Sequence, residues 1–415
     1  MTKFYDALET RSPQEREAAL MAALPGQVAH AQQRAPAFAQ ILAGVDAAAV
    51  TTRAALARLP VTRKHELLER QSAEREQHLF GGFATQGFGA AMPRVFASPG
   101  PIYEPEGTRP DYWRMARALY AAGFRSGELA HNCFSYHFVP AGSMMESGAF
   151  ALGCTVFPGG TGQTEQQVLA MAHMRPAGYI GTPSFLKLIL EKAAELHLPL
   201  PSVTKALLSA EAFPPSLRDW LAERGIAGYQ CYGTADLGLI AYETEAREGL
   251  VLDEGVIVEI VRPGTNDPVP EGEVGELVVT TLNTDYPLIR FGTGDLSAVL
   301  PGTCPTGRTN TRIKGWMGRA DQTTKVRGLF VHPGQIAAVA ARFPQVLRAR
   351  LVVTGEMAND QMLLRVETTE TASGLAERLQ DAVRELTKLR GEVELVAPGS
   401  LPNDGKVIED ARSYR

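Results

Sequence analysis

Two segments far apart in the chain carry residues suited to phosphoryl and acyl chemistry. Tyr286 to Ser297 (YPLIRFGTGDLS) places Asp295 on an acidic Gly-Asp turn after an apolar strand, and Leu401 to Asp410 (LPNDGKVIED) places Lys406 on a loop near the end of the chain. A carboxylate held on a tight turn can accept both hydroxyls of a ribose. A mobile lysine can neutralise charge that develops on a phosphoryl group during acyl transfer. Either alone is ordinary turn chemistry. Together they suggest nucleotide-assisted activation of a carboxylate.

The elements that must position these residues follow an α/β pattern. Ala-rich helical sequence covers 13–44, and 52–72 reads as a short helix, a Leu-Pro turn and a second helix. Beyond Val95, predicted helices (111–123, 142–152, 163–173, 183–196) alternate with short strands (129–133, 155–157, 178–180, 206–208), the signature of parallel βαβ units. After Ala235 the strand-like stretches 251–261, 275–281 and 311–314 predict a smaller β-rich subdomain. From about Gln322 the order is helix (333–342), strand (348–353), strand (361–367), helix (373–388), strand (392–396), which predicts a compact α+β lid of split-βαβ type. The predicted domains are 1–320 and 321–415.

Composition narrows the partners. With 41 Lys plus Arg against 46 Asp plus Glu in 415 residues, the net charge of −5 makes no electrostatic case for nucleic acid or an anionic membrane surface. Small molecules are the expected partners. Cys133, Cys154, Cys231 and Cys304 are widely and irregularly spaced, which suggests neither a disulfide framework nor a zinc site. The N-terminal residues lack the apolar core of a signal peptide, and no stretch approaches the length of a membrane span, so a cytoplasmic protein is expected.

Between the two opening segments lie Tyr232-Gly233-Thr234-Ala235-Asp236, Gly275-Glu276-Leu277-Val278-Val279-Thr280-Thr281, Gly318-Arg319-Ala320-Asp321 and Lys325-Val326-Arg327-Gly328. In this order the chain resembles the adenylate-forming superfamily, and most closely its phenylacetate-coenzyme A ligase branch. The likeness runs from about Leu24 to the C-terminus and is dense from Ser209 to Ile336. Such enzymes join a carboxylic acid to ATP as an acyl-adenylate, release pyrophosphate, and pass the acyl group to the thiol of coenzyme A. The resemblance implies the adenylate-forming fold, with a large N-terminal α/β domain and a small C-terminal lid, and ATP or AMP, Mg²⁺ and coenzyme A as cofactors. A homodimer is left open.

The resemblance also assigns roles. Asp295 would bind the ribose, which Arg319 also approaches, and Asp321 would be the pivot of lid rotation. Lys406 would bridge the carboxylate and the α-phosphate, and Gly328 would move toward the pantetheine. Tyr232 to Asp236 matches Tyr-Gly-x-(Ser/Thr)-Glu imperfectly: the hydroxyl falls one place early, at Thr234, for the α-phosphate, and Asp236 is one methylene shorter than the glutamate that holds Mg²⁺. Ser209-Ala210-Glu211-Ala212-Phe213 resembles Gly-Ala-Glu-Pro-Trp, which flanks adenine, so Phe213 would stack on the base or fill the core. Phe134, Tyr136 and His137 fall where the family lines its acyl pocket with aromatics, suiting an aryl or arylacetic acid, with His137 reading a polar substituent or filling volume. Thr244, Val251, Cys304 and Thr306 match the zinc ligands of some members; one ligand of four is too few, and no zinc is expected.

One motif departs from the family. The phosphate loop Ser-Ser-Gly-Thr-Thr-Gly-Lys-Pro is matched by Ser98-Pro99-Gly100-Pro101-Ile102-Tyr103-Glu104-Pro105. Ser98 remains, both threonines are gone, three prolines cannot donate, and Glu104 stands where the lysine would be. Glu104 is expected to face and repel the γ-phosphate, and Glu104→Lys to improve ATP affinity. Two functions therefore stand: an acid-coenzyme A ligase, or a relative that binds AMP, an acyl-adenylate or an aromatic acid without normal use of ATP.

Overall fold

The structure, a computed structural model, describes residues 3–98, 101–262, 265–317, 320, 324–327, 329–331, 333–355, 360–369, 374–402 and 406–412. The chain divides into two compact units, Met1–Met317 and Gly318–Arg415.

The first unit is built on a nine-stranded sheet. Its parallel half runs Thr155–Pro158, Leu129–Asn132, Gly178–Gly181, Lys205–Leu208, Ala227–Thr234. The helices Ala141–Ala151, Thr164–Met174, Pro183–Glu195 and Pro215–Ala222 make the crossovers, as the alternation predicts. Beyond Ala227–Thr234 the sheet turns antiparallel through Gly238–Glu243, Leu250–Leu252, Arg312–Ile313 and Val299–Leu300. The reversal falls at the Thr234–Gly238 turn. Gly238 is required there, because its φ is +72° and an added Cβ would lie 2.7 Å from the Trp113 carbonyl oxygen.

A four-stranded sheet follows the order Thr62–Arg63, Phe291–Ser297, Gly275–Thr281, Val256–Val261. The strand-like stretch 251–261 is therefore two strands in two different sheets. The break falls at two buried acids, which must meet cations rather than continue a ladder. Asp253 accepts from Arg114 at 2.9 Å and Glu254 from Arg16 at 2.8 Å.

Two predicted helices are also corrected. The span 13–44 is split into Pro13–Arg34 and Pro36–Ile41, because a proline pushes the residue before it out of helical backbone and Ala35 is extended. The helix expected from Asp111 begins at Met115, since Asp111 and Arg114 take positive φ of 48° and 64° and Asp111 accepts from the Ala116 amide at 3.0 Å.

The second unit carries a sheet ordered Glu392–Val396, Gln361–Thr368, Val346–Thr354, Ile408–Asp410, with helices Pro333–Ala341 and Leu375–Thr387. The hairpin Thr324–Val326 with Leu329–Val331 is tied to this sheet by Arg412, which donates to the Lys325 carbonyl at 2.9 Å and pairs with Asp360 at 3.0 Å. Among the described residues no helix is long and apolar enough to cross a membrane.

Candidate functional site

Asp295 sits not on a turn but inside the strand Phe291–Ser297, at a bulge. Gly292 pairs with Val278 and Leu296 with Glu276, so residues 293–295 face the single residue Leu277. Gly294 supplies the left-handed φ of 72°, and the Thr293 hydroxyl donates to the Leu277 carbonyl at 3.0 Å and accepts from the Asp295 amide at 3.1 Å. The bulge re-aims the following side chain. Asp295 thus accepts from the Tyr232 hydroxyl at 2.7 Å and from the Trp316 indole at 3.1 Å.

Trp316 was not singled out in the sequence. It is set in place because the Met317 amide donates to the Leu296 carbonyl at 2.9 Å and the Ser297 hydroxyl to the Gly315 carbonyl at 2.7 Å. A legible signal was its position directly before Gly318-Arg319-Ala320-Asp321.

The segment matched to the phosphate loop falls largely on two paired strands. Arg94–Ser98 pairs antiparallel with Ile102–Glu106, with Ser98 opposite Ile102, so three residues connect the strands. The expectation for Glu104 is overturned: it lies in a strand opposite Phe96 and is fully buried. The reason is the short connection, which puts the rest of the segment into the returning strand. Ser98 is buried as well, and its hydroxyl donates to Glu104 at 2.6 Å. A lysine at position 104 would bury its ammonium rather than reach a phosphate. The helix Lys64–Ala73 closes over the hairpin, with Gln71 bonded reciprocally to the backbone of Tyr103 at 2.8 and 2.9 Å.

The same helix brings Lys64 to Asp236 at 3.0 Å. Asp236 is buried, and its other oxygen has no hydrogen-bond donor, as is also true of Glu104 Oε2. The two carboxyls lie within hydrogen-bonding reach, which two bare carboxylates would not tolerate. Burial pushes the Glu104 carboxyl well above the ordinary range, and Asp236 adds to this, against Lys64 and Ser98. The Glu104 carboxyl is therefore held toward its protonated form beside Asp236.

Between the ordinary glutamate pKa and the raised native one, the folded chain binds a proton that the unfolded chain has released, so stability falls as pH rises, by about 1.4 kcal/mol per pH unit of that window. Glu104→Gln keeps the shape and a donor toward Asp236 without titrating, and it should flatten this decline in urea unfolding followed against pH. Parallel curves for the two proteins would refute the assignment.

The remaining predicted residues are placed as follows. Thr234 ends the strand Ala227–Thr234, and its hydroxyl accepts from the Leu237 amide at 3.1 Å. Gly233 precedes it in the same strand; a Cβ there would lie 2.6 Å from the Gly238 carbonyl oxygen. Ser209 donates to the Cys231 carbonyl at 2.8 Å, and Ala210 holds a positive φ of 67°. Glu211 is exposed and accepts from the Ser184 hydroxyl at 2.5 Å. Phe213 is buried, with Arg218 4.5 Å above its ring and Gly228 at its edge.

In the segment predicted to line the acyl pocket, Phe134 is packed into a core cluster with Phe96, Trp113 and Met145. Tyr136 is half-buried and accepts from Asn132 at 2.8 Å, and His137 is exposed. Burial pushes the Cys133 thiol up to about 12, which leaves it protonated and no nucleophile. Lys406 is exposed and stands just before Ile408–Asp410 in the second unit. Arg319, Asp321 and Gly328 lie outside the described residues.

The four positions matched to zinc ligands include three that converge. Cys304 Sγ lies 3.0 Å from the Thr306 hydroxyl and 3.7 Å from that of Thr244, while Val251 packs in the same apolar cluster as Cys304. A thiol and two hydroxyls hold each other there.

Comparison with known proteins agrees with this architecture. Residues 113–284 match the AMP-binding enzyme family and residues 328–411 the AMP-binding enzyme C-terminal domain. The chain is 33% identical to a phenylacetate-coenzyme A ligase of Thermus thermophilus over 83% of its own length and 79% of that protein's. It is 28% identical to one from Escherichia coli over 97% and 95%. Among solved structures, a 2-hydroxyisobutyryl-CoA ligase in complex with 2-HIB-AMP and CoA is similar over 100% of this chain and 93% of that one, with a TM-score of 0.80 and 27% identity.

Proposed function

Because the chain belongs to the AMP-binding enzyme family, in its phenylacetate-coenzyme A ligase branch, we propose that it converts a small aromatic carboxylic acid to its coenzyme A thioester through an acyl-adenylate. The observation that carries this reading is the bulge that aims Asp295 at the strand Ala227–Thr234, where it accepts from the Tyr232 hydroxyl. A ribose bound to Asp295 puts its 5′-phosphate toward that strand end, where open α/β sheets collect ligands.

In the first step a carboxylate oxygen attacks the α-phosphorus and the P–O bond to pyrophosphate breaks. Lys406 neutralises the charge on both reacting groups. In the second step the coenzyme A sulfur attacks the acyl carbon, the C–O bond to AMP breaks, and the thiol proton is released. Cys133, protonated and buried, takes no part. The setting is cytoplasmic.

Magnesium at Asp236 does not fit the donors present. One oxygen of Asp236 is taken by the Lys64 ammonium group and the side chain is buried, whereas Mg²⁺ needs several accessible oxygen donors free to give electron pairs. No step here runs through the metal.

The three-residue hairpin favours a second reading, a protein that binds AMP or an acyl-adenylate without ATP turnover. Pyrophosphate release across a panel of aryl and arylacetic acids, with and without coenzyme A, decides between the two. Release with at least one acid, and thioester when coenzyme A is added, is expected; neither product from any acid would overturn the ligase reading. Asp295→Ala should weaken AMP binding by about 1.5–3 kcal/mol, the range for a hydrogen bond to a charged group. Unchanged AMP affinity would remove the ribose anchor from the mechanism.

A further inference from the structure

The neighbours of Tyr136 dictate which way its hydroxyl proton points. Asn132, the last residue of the strand Leu129–Asn132, accepts from the Phe134 amide at 3.2 Å through Oδ1 and donates to the Gly142 carbonyl at 2.9 Å through Nδ2. Those two bonds fix which end of the amide is which. Nδ2 therefore donates to the Tyr136 oxygen at 2.8 Å, and the Tyr136 proton is left to serve another acceptor. Tyr136 is half-buried just past the carboxyl end of a parallel strand, where open α/β sheets collect ligands.

A helix supplies the acceptor side. A Cβ added at Gly142 would lie 2.8 Å from the Tyr136 ring, so glycine lets that ring rest on the first turn of Ala141–Ala151. Glu146 stands one turn further along the same face, and helical side chains lean toward the N-terminus, which brings its carboxylate over the turn that carries the ring. Burial raises the Tyr136 hydroxyl above its ordinary range and the Glu146 charge adds to this, so the proton stays on. Glu146 is half-buried and pairs with no cation among the described residues. A fixed hydroxyl donor and an uncompensated carboxylate thus stand side by side at the strand end.

We propose that Tyr136 and Glu146 together read a hydroxyl group on the ring of the acid, the tyrosine donating to its oxygen and the glutamate accepting its proton, so that the preferred substrates are hydroxylated aryl acids. The proposal rests on the ligase reading given above and names the class of acid within it. A phenol is acceptor and donor at one atom and matches the pair; an aryl ether can only accept, and a plain ring does neither. Closing a plain ring over this pair strips water from a carboxylate and returns no hydrogen bond. The pair therefore selects against unsubstituted acids as well as for hydroxylated ones.

The test is kcat/KM for thioester formation by the full chain from phenylacetate, its 3- and 4-hydroxy derivatives and the matching methoxy ethers, in the wild type, Glu146→Leu and Tyr136→Phe. One hydroxylated acid should exceed both phenylacetate and its own methoxy ether by about tenfold or more, the ratio for one hydrogen bond to a charged group. Each substitution should cut that advantage by about fivefold or more. A ratio of two substrates on one preparation does not depend on the fraction folded, so a purely structural loss leaves it unchanged. A smaller advantage in the wild type, one shared by the methoxy ether, or one that survives either substitution overturns the proposal and leaves the ligase reading in place. No thioester from any aryl acid overturns the two together.

Discussion

Lys406→Ala should lower the rate of pyrophosphate release by roughly 10²–10³, the loss seen when one preorganised donor to a developing anion is removed. Thioester formation from a supplied acyl-adenylate should persist within a few-fold. The asymmetry follows from chemistry. Adenylation brings a carboxylate up to a phosphoryl group, two negatively charged partners, and a cation between them is worth most as the P–O bond forms. Thiol attack on an acyl-adenylate needs no such bridge, and family resemblance implies a lid that presents different residues in the two steps. Lys406 lies exposed on the second unit, so its loss leaves the core of that unit untouched. Single-turnover assays of each half-reaction check this. Equal loss in both would mean that the lysine serves binding or folding rather than adenylation.

Arg290→Met should destabilise the first unit by about 3–5 kcal/mol in urea unfolding, the cost of leaving a buried charge without its partner. Arg290 is completely buried. Its guanidinium donates to Glu259 at 2.9 and 3.1 Å, to the carbonyls of Ala57 and Asn266 at 2.8 and 2.9 Å, and to that of Leu59. It therefore clamps the Leu-Pro turn of the N-terminal helical region onto the four-stranded sheet. Glu259, also buried, would be stranded by the substitution, and burial already raises its pKa against the pull of Arg290. Arg290→Met combined with Glu259→Leu should recover part of the loss, because removing both charges removes the desolvation cost as well. A single-mutant loss below about 1 kcal/mol, the value of an exposed pair, would contradict the clamp.

Arg290 also illustrates how residue order misleads. It stands only five positions before Asp295 in the sequence. In three dimensions its backbone sits at a positive φ of 46° and its side chain points into the N-terminal helical region rather than toward Tyr232. Glu104 is a parallel case. Aligned by position it replaces a phosphate-binding lysine, yet strand pairing buries it against Ser98 and Asp236.

What the amino-acid order decides here is whatever depends on neighbours along the chain. The alternation of apolar runs and helices from Val95 to Leu208 sets the parallel sheet, because periodicity and turn residues act within a few positions. The chemical kinds at Tyr232, Thr234, Asp236, Asp295 and Lys406, and their order, carry the family likeness. Tertiary structure decides what those groups touch. Tyr232 reaches Asp295 across 63 residues, and Trp316 reaches it only because the segment after Arg312–Ile313 returns alongside Leu296. Lys64 meets Asp236 from a helix 172 residues earlier. Such pairings depend on sheet order, a bulge of residues 293–295 against Leu277, and a hairpin closed by three residues, none of which leaves a local signature. A carboxylate's charge, reach and partners are fixed by burial and by the donors that packing brings to it, so the same aspartate or glutamate that is plain in the sequence acquires its chemistry only in the folded chain.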